Sequence, residues 1–403
     1  VRTLRALKAS VEYRLPHRKQ EGYDLKPATV EEMAAKGAKL IVTCDCGINA
    51  IEAVDRANQL GVDVIISDHH EQGASLPRAL AVVNPKRHDA AYPFPELAGV
   101  GVAYKLAQAL VRKLDANEES FKARFIDLVT LGTVADVVPL VGENRAFVKH
   151  GLGAVASSRK TGIRTMLKSV NTGGKPLSTY VLAFVLAPRI NAMGRMDDAT
   201  KALEVLLTQD EACAAALVAE MERHNADRKA EQNRIMQEAL EQVALKDLDS
   251  TPVLVLSGEG WNTGVVGIAA GKICEQYCRP TILLNRDEAG GIGHGSARST
   301  ECFDILDALR HCHDLLNRYG GHCAAAGLSI GLANLEAFEK AINEYAAEAI
   351  PPEELAPRVM LEAELTATDI SRELAGAVAM MEPFGAGNPE PLFLSRNMKV
   401  LDR

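Results

Sequence analysis

The chain has 403 residues, 47% of them hydrophobic and 24% charged, with a formal net charge of −8. That composition is ordinary for a globular protein and long enough for two or three cores. The acidic balance excludes a basic coat, though not a local basic cleft. No apolar run approaches the roughly 20 residues that cross a bilayer, and VRTLRALKAS lacks the apolar core of a secretory signal. None of the eight cysteines forms a C-x-x-C pair. They read as free thiols in a reducing cytoplasm, not as a zinc ribbon or disulfide framework.

In chain order, AKLIVTCD (38–45) predicts a strand, NAIEAVDRANQLG (49–61) a helix closed by glycine, and VDVIISD (62–68) a second strand. ALAVVNP (79–85) is a third strand; GVGVAYKLAQALVRKL (99–114) and FKARFIDLVTLGTVADVV (121–138) follow as helices. This alternation predicts a parallel sheet covered on both faces. Ligands gather at the carboxyl ends of such strands, where Asp45 and Asp68 fall. Residues 151–200 read as helical, and 209–246, almost without Gly or Pro, as one long helix or a helix pair connecting two lobes. A second α/β pattern starts at TPVLVLSGEG (251–260), with GIGHGSARS and RYGGHCAAAGLSI as its Gly-rich turns. PPEELAPR (351–358) is a linker before a partial third unit. The chain opens without Met and closes on FLSRNMKVLDR, which reads as a strand cut short, so truncation at both ends is the expectation.

Three acids and two histidines carry the first candidate chemistry. Asp45 and the Asp68-His69-His70 run lie at neighbouring strand ends, and Asp136 stands alone in the apolar LGTVADVVPL. A lone carboxylate there is costly unless its charge is compensated, and a metal would do so. Hard oxygen ligands with an imidazole favour Mn²⁺ or Mg²⁺. The bland alternative is a helix cap, a polar turn and a paired core acid. Ser296 and Arg298 in GHGSARS are donors that clamp phosphate, and His322 after two glycines can bond a phosphate oxygen. Tight hairpin turns are the competing reading. Arg189 and Arg195 either contact a polyanion or cap helices. GVGVAY lacks the third glycine of a dinucleotide fingerprint and reads as helix N-terminus packing.

With SDHH, LGTVADVVPL, RINAMGRMDDA, GVVGIA, GSARS, YGGHCAAAGLS and PFGAGNPEPLF in this order, the chain resembles the DHH phosphoesterase superfamily. Within it, the resemblance is to the bacterial exonucleases that digest single-stranded DNA 5′→3′, and it runs from about residue 11 to 403. It implies an α/β fold: a parallel-sheet DHH domain (1–150), a helical region and connector helix (151–248), and a smaller α/β DHHA1-type domain (249–350). A linker and the start of an oligonucleotide-binding β-barrel (351–403) would follow. By the same resemblance Asp45, His69 and Asp136 are metal ligands, His70 faces the phosphate and Asp68 orients its neighbours. Ser296 and Arg298 match the family's 5′-phosphate contacts, Arg18 matches another basic position near that end, and Arg195 is the candidate for the strand path.

The implied activity is hydrolysis of single-stranded DNA to 5′-mononucleotides with two divalent cations, Mn²⁺ or Mg²⁺, in DNA repair and recombination. Implied partners are single-stranded DNA, a RecQ-type helicase and a single-strand-binding protein, in the cytoplasm and away from membranes. Two departures stand out. The family's aspartate-rich D-x-D-A-D-G would precede VRTLRALK, so the chain as given is expected to bind metal poorly and to be catalytically incomplete. Asn262 occupies a position that is often histidine. One rival is a phosphodiesterase for short RNA or cyclic dinucleotides; such relatives are shorter and lack the RINAMGRMDDA connector. The other is a non-catalytic DHH-fold DNA-binding scaffold, which the encoded sequence upstream would discriminate.

Overall fold

The computed structural model describes residues 1–16, 21–170, 176–196 and 199–399, so Arg18 lies outside the described residues. It divides into two compact units, Val1–Glu222 with Leu361–Arg403, and Arg223–Met360.

The first unit opens with α1 (Arg2–Ala6), α2 (Pro27–Ala35), β1 (Leu40–Val42), α3 (Ile51–Gln59), β2 (Asp63–Ser67) and β3 (Ala81–Val83). The three strands form a parallel sheet in the order β1-β2-β3. Val64 and Ile66 of β2 bury one face with Val30 of α2 and Ala53, Val54 and Ala57 of α3. Period-2 burial of β-branched residues is what sets β2's register against these helices. The expectation of a sheet covered on both faces fails at β1. Among the described residues β1 pairs only with β2, and its Leu40 and Val42 are 47% and 37% exposed.

Helices follow: α4 (Gly99–Lys113), α5 (Glu118–Ala135), α6 (Gly142–Ala156), α7 (Thr161–Ser169), a π-helical turn (Val181–Leu186) running into α8 (Ala187–Met196), and α9 (Ala199–Leu207). Asn117 caps α5, its side chain accepting the Ser120 N–H at 2.7 Å. The core of this part gathers Leu131, Val148, Ile163, Met166, Leu186 and Met221. Residues 211–243 make a single helix, α10 (Glu211–Val243), with neither Gly nor Pro, and the division between the units falls within it.

The second unit contains the later part of α10, then β4 (Leu254–Glu259), α11 (Thr263–Tyr277), β5 (Thr281–Asp287), β6 (Ile292–Arg298), α12 (Ile305–His311), β7 (Leu316–His322), β8 (Ala325–Gly331) and α13 (Leu335–Ala349). Its mixed sheet runs β4-β5-β6-β8-β7, with β4 and β5 parallel and the remaining pairs antiparallel. Ala297, Leu328, Ile330, Leu309 and Phe338 fill the core under α12 and α13. GIGHGSARS is mostly strand β6, not a turn, and RYGGHCAAAGLSI is two strands joined by a tight turn at Cys323 and Ala324. A Cβ on Gly295 would lie 2.6 Å from Leu284 Cδ2 and 2.8 Å from Leu283 O, so glycine there serves close strand packing.

Residues 361–399 return to the first unit with β9 (Ala363–Glu364), α14 (Arg372–Met380) and β10 (Phe393–Leu394). The two short strands pair in parallel, and the described residues close no barrel. Arg145 of α6 donates to Met381 O at 2.8 Å, and Leu140 N to Ala386 O at 2.6 Å. No described helix is long and apolar enough to cross a membrane, and all eight cysteines are free.

Candidate metal centre

The site is assembled beyond the ends of β1 and β2. Thr43 N and Asp45 N donate to Ile65 O and Ser67 O, each at 2.9 Å, extending the ladder past β1. Asp45 then turns to a φ of +66°, a left-handed conformation that aspartate tolerates better than most residues. On β2, Ser67 N donates to Thr43 Oγ1 at 3.1 Å, and Asp68 follows directly.

Asp68 is 1% exposed and works as a staple. Its Oδ2 accepts the Ile48 N–H at 3.0 Å from the β1–α3 loop. Its Oδ1 accepts the N–H groups of His69 at 2.7 Å and His70 at 3.2 Å, and lies 2.7 Å from His70 Nδ1. Burial pushes the Asp68 carboxyl up, but these bonds outweigh it and hold its pKa below the usual value. The same bond raises the pKa of His70 against the opposing effect of burial. With Nδ1 committed to Asp68, Nε2 is the nitrogen left for a ligand.

His69 is the hub. Its Nε2 lies 3.0 Å from Asp45 Oδ1 and 3.5 Å from Asp136 Oδ2. The nitrogen is buried, yet neither approach has hydrogen-bond geometry. Asp136 caps the C-terminal end of α5, where the helix dipole opposes a carboxylate. Burial raises its pKa, with the Asp45 carboxylate adding to the shift against the pull of His69. A buried imidazole nitrogen without a partner, facing two carboxylates that repel each other, fits a divalent cation. Asp45, His69 and His70 offer ligand atoms within 4.8 Å of one another, and Asp136 approaches this group through His69 Nε2. Burial pushes the Cys46 thiol up to about 12 and raises Cys44 as well, so neither cysteine flanking Asp45 supplies a thiolate at neutral pH.

Two supports carry no strong sequence signal. Asn84, buried after β3, donates from Nδ2 to His70 O at 2.9 Å while its Oδ1 accepts Lys86 N at 2.8 Å. Asn49 reaches the same turn, donating to Glu71 O at 3.1 Å and accepting Gly73 N at 2.8 Å. The Asn-Pro step closing the third predicted strand is the only hint of the first.

In the second unit, Ser296 and Arg298 share one face of β6, and α11 lies over them. A Cβ on Gly267 would sit 2.9 Å from Arg298 Nη2 and 3.3 Å from Ser296 Oγ, so glycine keeps a helix surface open over both donors. His322 ends β7 in the same row, since Ala325 pairs with both His322 and Arg298. The start of α11 is fastened to α10. Trp261 is buried and donates from Nε1 to Glu238 Oε2 at 2.6 Å, Asn262 N donates to Glu231 Oε1 at 3.0 Å, and Arg234 Nη2 to Gly260 O at 2.9 Å. Asn262 is the cap of α11, accepting the Gly264 N–H at 2.9 Å. Arg195 lies in the last turn of α8, half-buried, and burial pushes its guanidinium down. Arg189 is ion-paired to Glu222 at 2.7 Å.

A DHH turn at the end of a parallel strand, answered by carboxylates from a neighbouring strand end and a helix end, is the arrangement of a DHH-class domain. Models of the DHH family N-terminal domain, the DHHA1 domain and the RecJ OB domain match residues 1–133, 250–348 and 361–403. The chain belongs to the RecJ family, whose curated members carry the name single-stranded-DNA-specific exonuclease. It is 37% identical to RecJ of Dickeya dadantii over 403 residues, which is 96% of this chain and 70% of that protein. It is 35% identical to RecJ of Escherichia coli (96% and 69%). With RecJ of Bacillus subtilis it shares 37% identity across 99% of the chain but spans only half of that relative's length. The crystal structure of RecJ in complex with Mn²⁺ from Thermus thermophilus superposes with a TM-score of 0.84 at 34% identity, covering 98% of this chain and 56% of that one. A crystal structure of exonuclease RecJ bound to manganese gives 0.74 at 37% identity, covering 88% and 87%.

Proposed function

We propose that the chain is the catalytic part of a metal-dependent 5′→3′ exonuclease that hydrolyses single-stranded DNA to 5′-mononucleotides. The observation that carries this reading is His69 Nε2, buried and without a hydrogen bond, between the carboxylates of Asp45 and Asp136. Asp45, His69 and Asp136 would hold a divalent cation, Mn²⁺ or Mg²⁺. A cation bound there polarises the phosphodiester and lowers the pKa of a bound water. Asp68 fixes the tautomer and direction of His70, which leaves Nε2 to meet a phosphate oxygen. In the second unit, the Arg298 fork and the Ser296 hydroxyl suit a terminal phosphate, with His322 in the same row.

The relatives named single-stranded-DNA-specific exonuclease and the Mn²⁺-bound neighbour support the substrate and the metal. The RecJ OB match over 361–403 favours a long single strand over a cyclic dinucleotide. We retain 1–150 as the catalytic domain, 151–248 as the helical connector, 249–350 as the phosphate-holding domain and 351–403 as the start of the oligonucleotide-binding domain. A cytoplasmic site of action, with a RecQ-type helicase and a single-strand-binding protein as partners, belongs to the same proposal. The decisive assay is Asp136→Ala in the full-length protein. It should abolish Mn²⁺-dependent release of mononucleotides from 5′-phosphorylated single strands, and unchanged release would overturn the metal assignment.

A further inference from the structure

We propose that Gly99, the first residue of α4, is a positioning residue for the metal centre, because the space its missing side chain leaves is occupied by the Asp45 carboxylate. The proposal rests on Asp45 being a metal ligand. A Cβ built on Gly99 would lie 2.1 Å from Asp45 Oδ1, 2.6 Å from Cγ and 2.8 Å from Cβ. Oδ1 is the same oxygen that stands 3.0 Å from His69 Nε2. A rotamer change could move Oδ1 and Cγ, but Asp45 Cβ moves only with its backbone.

That backbone is held. Asp45 N donates to Ser67 O at 2.9 Å, and its φ of +66° leaves little latitude. The start of α4 is held as well. Asn144 of α6, fully buried, accepts the Ala98 N–H at 3.4 Å and donates to Pro139 O at 3.1 Å. One side chain therefore ties the beginning of α4 to the segment just after Asp136. Neither wall can retreat cheaply from a methyl group placed between them.

Glycine is not required here by backbone conformation. Gly99 is helical, and alanine is the better helix former. The requirement is spatial and points at one neighbour. Gly101, two residues further along the same helix, makes the contrast: its Cβ would meet only the movable tip of Leu97 at 3.1 Å, with the next atom at 3.7 Å.

The test is Gly99→Ala in the full chain, with Asp45→Asn and Gly101→Ala alongside, measuring Mn²⁺ affinity by electron paramagnetic resonance and metal-free melting temperature. Gly99→Ala should weaken Mn²⁺ binding about 10- to 100-fold, the range typical of lost support around a metal ligand. Gly101→Ala should leave binding close to wild type. A second, metal-independent readout compares Gly99→Ala in the wild-type background and in Asp45→Gly, which removes the opposing Cβ and suits the positive φ. Any melting-temperature loss from Gly99→Ala should vanish in that background. Wild-type Mn²⁺ affinity in Gly99→Ala, or a melting loss that persists beside Asp45→Gly, overturns the proposal. If Asp45→Asn itself leaves Mn²⁺ binding unchanged, the ligand reading fails instead.

Discussion

His70 Nδ1 lies 2.7 Å from Asp68 Oδ1, and that oxygen also accepts the backbone N–H groups of His69 and His70. One buried carboxylate therefore sets both the path of the turn and the tautomer of its exposed ring. Asp68→Asn keeps an acceptor for the backbone but removes the charge facing the imidazole. In the metal-free protein the His70 pKa, raised in the wild type, should fall toward its ordinary value. The sign of the stability effect follows. A histidine raised in the fold contributes stability that is fully present below its unfolded pKa of about 6.5 and is lost as pH rises through the folded value. The stability gap between wild type and Asp68→Asn should thus narrow as pH rises from about 6.5 through the raised folded value of His70. NMR titration of the His70 ring checks the first outcome, and an unchanged midpoint in the variant would refute it.

Asp136 reverses that logic. Its carboxyl is raised by burial, so in the metal-free fold its charge costs stability at pH values above the raised pKa. Asp136→Asn should melt higher than wild type at neutral pH without metal. Mn²⁺ at a hundred times its dissociation constant should add about 2.7 kcal/mol to the wild type and nothing comparable to the variant. Thermal melts with EDTA and with Mn²⁺ measure both arms. A variant less stable than wild type in EDTA would contradict the strain attributed to this carboxylate.

The parts of this site legible in the sequence are those that follow from period and position. The apolar β2 run ending at Asp68 predicted a strand-end acid, and the isolated Asp136 predicted a charge in need of compensation. What stayed hidden depends on close approach in space. GVGVAY was legible as a helix start, but only the distance from Gly99 to Asp45 shows why it begins with glycine. The Gly-rich stretches of the second unit were read as turns because glycine usually signals one. Both are largely strand, and in the first of them Leu283 and Leu284 press against Gly295, where a side chain would not fit.

Stability of the helical part turns on a second buried charge. Lys160 Nζ lies 2.7 Å from Asp127 Oδ1 and 2.8 Å from Oδ2, with Ser158 Oγ donating to the same carboxylate at 2.6 Å. Their side chains are only 10% and 5% exposed. Lys160→Met strands the carboxylate and should cost about 3–5 kcal/mol, whereas Lys160→Met with Asp127→Leu should recover most of that loss. Urea unfolding of both variants decides it. Equal losses in the single and double variants would mean the pair is not what the site depends on.

The fastening of α11 to α10 makes a prediction that separates structure from binding. Glu231 accepts the Asn262 N–H at 3.0 Å and pairs with Arg234 at 2.9 Å, and Arg234 in turn donates to Gly260 O at 2.9 Å. These bonds fix the loop from which α11 starts, and α11 carries the glycine surface that lies over Ser296 and Arg298. Glu231→Ala removes the acceptor of the Asn262 N–H and one of the two carboxylates paired with Arg234, which keeps Glu238 at 2.9 Å, a loss of about 1–3 kcal/mol. If Ser296 and Arg298 hold a terminal phosphate, the same variant should bind 5′-phosphorylated oligonucleotides more weakly while 5′-hydroxyl ones change little. Arg298→Ala should erase that preference, and adding Glu231→Ala to it should weaken binding no further. Fluorescence anisotropy with the two oligonucleotides, read beside a thermal melt, gives both numbers. A fall in melting temperature with the phosphate preference intact would confine Glu231 to stability and break its link to the binding face.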